Sequence, residues 1–191
     1  MASETVVSMH GHPLRIREGD LLVTRSNNLS SYCIAAVNWG YSHVTTAVRV
    51  NGNMHAIGVL SRPWTDATGA SHPPGTTCEE LELYNDPVYA RLWIVRPRVP
   101  RTVEQTMRLR LTASDHLRRK AGDVAAYDSA REFLHSACGW WPATLDDRHH
   151  CAEWAAYLAL ASGDGAWPDN HTTSVPIHVL VDAVGDPERV F

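Results

Sequence analysis

An α+β fold is expected from three observations. Strand-like segments fill the first half of the chain, helical segments fill the second, and no β–α alternation or internal repeat connects them. The chain has 191 residues, of which 44% are hydrophobic and 20% charged, so one packed domain is expected rather than disorder. Residues 1–14 read as a flexible N-terminal tail, and 15–191 as a single domain.

The elements follow in order. Gly19-Asp20 is a turn feeding the strand Leu21-Leu22-Val23-Thr24. Residues 27–39 form a helix capped by Asn27, Asn28 or Ser30, with Leu29, Ile34, Ala35 and Val37 as its apolar side. The β-branched run 42–50 is a strand, Asn51-Gly52 a hairpin signal, and 54–60 the return strand. Prolines and glycines make 61–76 a long loop. Strands follow over 77–83 and 88–95, the second stopped by Arg96-Pro97.

Thr102-x-x-Gln105 is a capping box. The helix behind it presents Val103, Met107, Leu111, Ser114 and Leu117 as its inward face and ends near Arg118-Arg119-Lys120. Further helices are expected over 127–137, from Cys151 onward, and over 175–184 with Pro176 in the first turn. Asp146 and Asp147 can cap the helix that Cys151 opens, and Gly163 and Gly165 can end it.

Charge and composition exclude several classes. The net charge is −4, without the basic excess of a nucleic-acid binder. Residues 1–20 lack an apolar core for a signal peptide, and no run near 20 apolar residues occurs, so no membrane span is expected. The four cysteines show no CxxC, which fits reduced thiols in a cytoplasm. His10 and His12 read as a solvated pair. His149, His150 and Cys151 are adjacent and point about 100° apart on a helix, which is poor geometry for one ion. No metal and no cofactor are expected.

The chemistry centres on Cys151. A thiol in the first turn of a helix meets the positive end of its dipole, which favours the attacking thiolate. A cysteine hydrolase also needs a histidine to move the proton and a third group to orient it. His43 and His55 stand on the two adjoining strands. Cys33 is a rival thiol, expected to be buried on the apolar side of its helix.

These stretches resemble the circularly permuted branch of the papain-like, NlpC-type hydrolases, the YiiX-like and orthopoxvirus-type proteins. Gly19-Asp20-Leu21-Leu22-Val23 is similar to the family's opening strand. Tyr41-Ser42-His43-Val44 is similar to its Ser-His-Val strand start, and Tyr127-Asp128 to the pair before its nucleophile. Cys151-Ala152-Glu153 resembles its Cys-Ser-Glu helix start, with Ala152 in place of Ser, and Ser174-Val175-Pro176 resembles its closing Thr-Pro segment.

The resemblance implies a papain-like fold, a small antiparallel curved sheet or barrel followed by packed helices. It implies Cys151 as nucleophile, His43 as base and His55 as third residue, where many permuted members carry Glu. Gly19, Asp20 and Tyr127 are the candidate substrate-binding residues. The implied reaction is hydrolysis of a small-molecule, peptide or lipid-like amide. An acyltransferase using the same cysteine and a catalytically silent binding module are the alternatives. One geometric condition follows. A two-residue turn at Asn51-Gly52 would pair His55 with Val48 and put the two histidines on opposite faces, so a wider turn or a bulge is expected there.

Overall fold

The computed structural model describes residues 4–60, 63–65, 69–73, 75–119, 151–163 and 176–191. The expected helix over 127–137, the caps Asp146 and Asp147, Gly165, and Ser174-Val175 lie outside the described residues. The order is β1 (Glu4–Met9), β2 (His12–Arg17), β3 (Leu21–Ser26), α1 (Leu29–Val37), β4 (His43–Val50), β5 (Asn53–Leu60), β6 (Trp64–Thr65), β7 (Ser71–His72) and β8 (Gly75–Glu80). A 3₁₀ turn over Leu81–Asn85 leads to β9 (Tyr89–Val95), α2 (Val103–Arg119), α3 (Cys151–Ala161), α4 (Ile177–Val184) and β10 (Pro187–Arg189). The α+β class is as expected.

One six-stranded antiparallel sheet, ordered β10-β9-β3-β4-β5-β8, organises the described residues. Its two faces have different covers. Leu21, Val23, Val44, Val48, Ile57 and Val59 meet the helices, packing with Ala155, Leu158, Leu180, Val181 and Leu109. Leu22, Ala47, Met54, Ala56, Leu92 and Ile94 meet the β1–β2 hairpin and the 3₁₀ turn. Strand side chains alternate, so each strand carries one row to each layer. Both layers are buried, which is why these strands read as nearly continuous apolar runs.

The expected flexible tail is a hairpin. Glu4 pairs with Arg17 and Met9 with His12, and the turn between them puts His10 (φ 48°) and Gly11 (φ 79°) in the left-handed region. Val7, Met9 and Ile16 are buried against the sheet, so this segment is part of the core. The chain also ends in a strand that was not expected, β10 on the edge of β9.

Two helices turn differently from expectation. In α2, Val103, Met107 and Leu111, expected to face inward, are exposed; Leu117 packs against the core as expected, and Leu109 and Ala113 are fully buried. The deciding contact is ionic. Glu18 is buried beside β4, accepts the Arg49 backbone N–H at 2.9 Å, and takes both Nε and Nη2 of Arg110 at 2.6 Å. Drawing Arg110 to the sheet rotates the Leu109–Ala113 side inward. In α1, Leu29 is 81% exposed and Cys33 is exposed rather than buried; Ser31 and Ala35 face the core.

The local signals hold where they are self-contained. Asn28 caps α1 by accepting the Ser31 N–H at 2.8 Å. Thr102 and Gln105 form the reciprocal box, Thr102 N–H to Gln105 Oε1 at 2.8 Å and Gln105 N–H to Thr102 Oγ1 at 3.1 Å. Gln105 Nε2 also donates to the Gly163 carbonyl at 2.8 Å, tying the start of α2 to the end of α3. Asn38, fully buried, donates to the Ile34 carbonyl and accepts the Ile177 N–H at 3.0 Å, joining the end of α1 to the start of α4.

Arg110→Ala is expected to leave Glu18 as an uncompensated buried carboxylate and to cost about 3 kcal/mol in urea unfolding. Adding Glu18→Gln should recover part of that loss, because the stranded charge is removed. Equal losses in the single and double variants would contradict this account of how α2 is set.

Candidate active site

The turn between β4 and β5 decides the geometry. Val50 pairs with Asn53 across Asn51 (φ 50°) and Gly52 (φ 89°), a two-residue turn with both central residues left-handed. The wider turn or bulge expected from the sequence is absent from this hairpin, and His55 pairs with Val48. His43 therefore shares a face with Thr45 and Ala47, while His55 shares the face of Val44 and Val48. The two histidines lie on opposite faces of the sheet. This corrects the expectation that His55 orients His43.

His43 opens β4 opposite Thr24 of β3. Its ring lies over Gly58, where an added Cβ would be 3.6 Å from Nε2 and in hard contact with the Thr45 methyl. Gly58 lacks a side chain in mid-strand because this space is taken. His43 lines a cleft of about 110 Å³ with Thr24, Ser26, Ser31, Ser42 and Tyr89. Its floor is a chain of hydroxyls. The Ser26 N–H donates to Ser31 Oγ at 2.9 Å, Ser31 Oγ to Ser42 Oγ at 2.5 Å, and Ser42 Oγ to the Thr24 carbonyl at 3.0 Å.

On the same face, Thr45 Oγ1 is 2.8 Å from Tyr84 OH, which donates to Glu79 Oε2 at 3.3 Å. Burial first, and then the Glu79 charge, push the Tyr84 phenol well above its ordinary value, so it stays protonated and can donate. Sequence reading missed this chain and the hydroxyl floor. Their residues are far apart in sequence and meet only through strand register.

Cys151 is the first described residue of α3 and is fully buried. It belongs to the apolar cluster that holds Tyr41, Val23 and Val44. Val44 follows His43 directly, so the cysteine's layer meets β4 on the face away from the His43 ring. The thiols elsewhere differ: Cys33 is exposed, and burial followed by Glu79 and Glu80 raises the Cys78 thiol to about 11.

Gly19 and Asp20, expected to bind substrate, stand apart from His43. The Ala47 N–H donates to the Asp20 carbonyl at 2.8 Å, four ladder positions, or about 13 Å, from the Thr24–His43 pair. The Asp20 carboxylate is buried, accepting the Arg17 N–H at 2.8 Å and Arg96 Nη2 at 3.2 Å. Burial pushes its carboxyl up, against the opposing pull of Arg96. Gly19 holds φ 87°, and its carbonyl accepts Arg101 Nη1 at 2.9 Å. Both residues build the β2–β3 turn. Tyr127, the third candidate, lies outside the described residues.

Among the described residues, no group of three His, Cys, Asp or Glu is arranged to hold a metal ion. Among them, too, no helix is long and apolar enough to cross a membrane. No protein-family model matches the chain, and no curated protein matches its sequence. Among solved structures it is similar to the metalloprotein yiiX of Escherichia coli O157:H7, at 16% identity and a TM-score of 0.49, over 91% of this chain and 96% of that one.

Gly19→Ala is expected to lower stability by about 1–3 kcal/mol, since a Cβ at this φ is strained and would overlap the Arg101 guanidinium. Thermal unfolding checks this; an unchanged midpoint would remove Gly19 as the structural pivot of the turn.

Proposed function

We propose that the chain is a thiol-dependent hydrolase of amides, with Cys151 as nucleophile and His43 as the proton carrier. The observation that carries the reading is that Cys151 begins α3 and α3 packs on β4, the strand that His43 opens. The helix start favours the thiolate, and backbone N–H groups near Cys151 can hold a developing oxyanion. Sγ would attack the carbonyl carbon, and the electron pair would move to oxygen. The C–N bond would then break as His43 hands a proton to the amine, and water would release the acid and restore the thiol.

The substrate class carried by this reading is a small-molecule, peptide or lipid-like amide. The reading requires the His43 imidazole to come round the end of β4 to the α3 face. Its place as the first residue of the strand favours this, because no strand residue precedes it. His55 has no part in the mechanism.

A second reading is a papain-like binding module without chemistry. It is favoured by the complete burial of Cys151 and by the orientation of His43 toward the hydroxyl-lined cleft.

Alkylation separates the two. Iodoacetamide labelling near neutral pH, read by peptide mass spectrometry, compares Cys151 with the exposed Cys33 in one sample. The hydrolase reading predicts Cys151 to react at least about tenfold faster, His43→Ala to slow it by about tenfold or more, and His55→Ala to leave it unchanged. If Cys151 instead reacts more slowly than Cys33 and ignores His43→Ala, the binding-module reading replaces it.

A further inference from the structure

Two arginines face each other across the β3–β9 ladder. Arg25 pairs directly with Arg91, just before a register shift at Arg25/Ser26. Both are half-buried. Opposed residues on antiparallel strands have Cβ atoms about 5 Å apart, and like charges there repel. Elsewhere in this chain an arginine is met by a buried carboxylate, Arg110 by Glu18 and Arg96 by Asp20. Among the described residues neither Arg25 nor Arg91 has an ion pair.

The pair is nevertheless organised. The Arg25 guanidinium lies 5.2 Å above the Tyr32 ring, a stacking contact that fixes its plane. Its Nε is buried without a hydrogen-bond partner. Such an orphaned donor is costly unless something accepts from it. Arg91 uses Nη1 on the Ala90 carbonyl at 2.9 Å, leaving the rest of its fork. Two guanidinium forks carried on directly facing strand positions can be offered together to the oxygens of a carboxylate or phosphate.

Position gives the pair a use. The row Leu21, Val23, Arg25 and the facing row Val95, Trp93, Arg91 lie on the helix-covered face, with Leu21, Val23 and Val95 in the cluster that contains Cys151 and Trp93 packed against it. The arginines sit at the end of β3 where Thr24 pairs with His43. We infer that Arg25 and Arg91, with Tyr32 as their platform, form a binding site for an oxoanion, the carboxylate or phosphate of a small ligand. If the hydrolase reading holds, on which this last step rests, the amide substrate carries that anionic group at one end.

Arginine Nε–H resonances of the full chain test this directly. The probes are methyl phosphate, N-acetylglycine and, as the uncharged control, N-acetylglycinamide. The Arg25 and Arg91 signals are expected to shift saturably with at least one anion and not with the control. A response to phosphate alone, or to carboxylate alone, identifies which group the site takes. Arg91→Gln, checked for folding by circular dichroism, should weaken binding about tenfold or more. The wild-type titration stands even if that variant does not fold.

Repeating the titration on Cys151→Ala separates the two claims, because anion binding should persist without the thiol. No shift with either anion, or an equal shift with the neutral amide, would overturn the site.

Discussion

The two-residue turn at Asn51-Gly52 is the constraint on which the rest depends. It joins β4 and β5 and sets their register at Val50–Asn53. Because strand side chains alternate, that choice assigns every residue of β4 and β5 to a layer. Val44, Val48, Ile57 and Val59 go to the helices; Ala47, Met54 and Ala56 go to the hairpin side. One residue more in the turn would exchange the layers of β5 and put His55 on the face of His43. The turn that makes a sound core thus also puts His55 on the opposite face from His43.

The helix layer is held by polar ties at its edges and apolar packing at its centre. Gln105 joins the start of α2 to the end of α3, Glu18 anchors Arg110, and Asn38 joins α1 to α4. The Glu18 and Asn38 ties use a buried partner, where a hydrogen bond contributes more than on the surface and its loss strands a polar group; the Gln105 tie is exposed. Between them α3 lies against β4 through small residues, Ala152, Ala155, Ala156 and Ala159, which lets helix and sheet approach closely. That approach is what sets Cys151 beside the strand that carries His43.

Signals that close within a few residues were legible in the sequence. The Thr102–Gln105 box, the Asn28 cap and the strand start at His43 all depend on neighbours three or four positions away or on β-branched runs. What was not legible needed a distant partner. Val7, Met9 and Ile16 alternate too briefly to announce a hairpin, and only the sheet face beneath them makes it one. The apolar stripe Val103, Met107, Leu111 reads as a core face by periodicity, yet Arg110 is drawn to Glu18 from ninety-two positions earlier and turns that stripe outward. Arg25 and Arg91 became a pair only through the β3–β9 register. Within the candidate site, Cys151 and His43 were nameable as elements of structure, but the hydroxyl floor and the Thr45–Tyr84–Glu79 chain were not.

The central claim is that the start of α3, with the His43 imidazole brought round to its face, activates Cys151. Its thiolate pKa, followed by ultraviolet thiolate absorbance in a chain whose other cysteines are replaced by serine, tests this most directly. The account predicts a value clearly below the free-thiol value of about 8.5, moving upward in His43→Ala. A value at or above that of a free thiol, unmoved by His43→Ala, would mean that burial governs Cys151 and that the helix start and the histidine do not activate it.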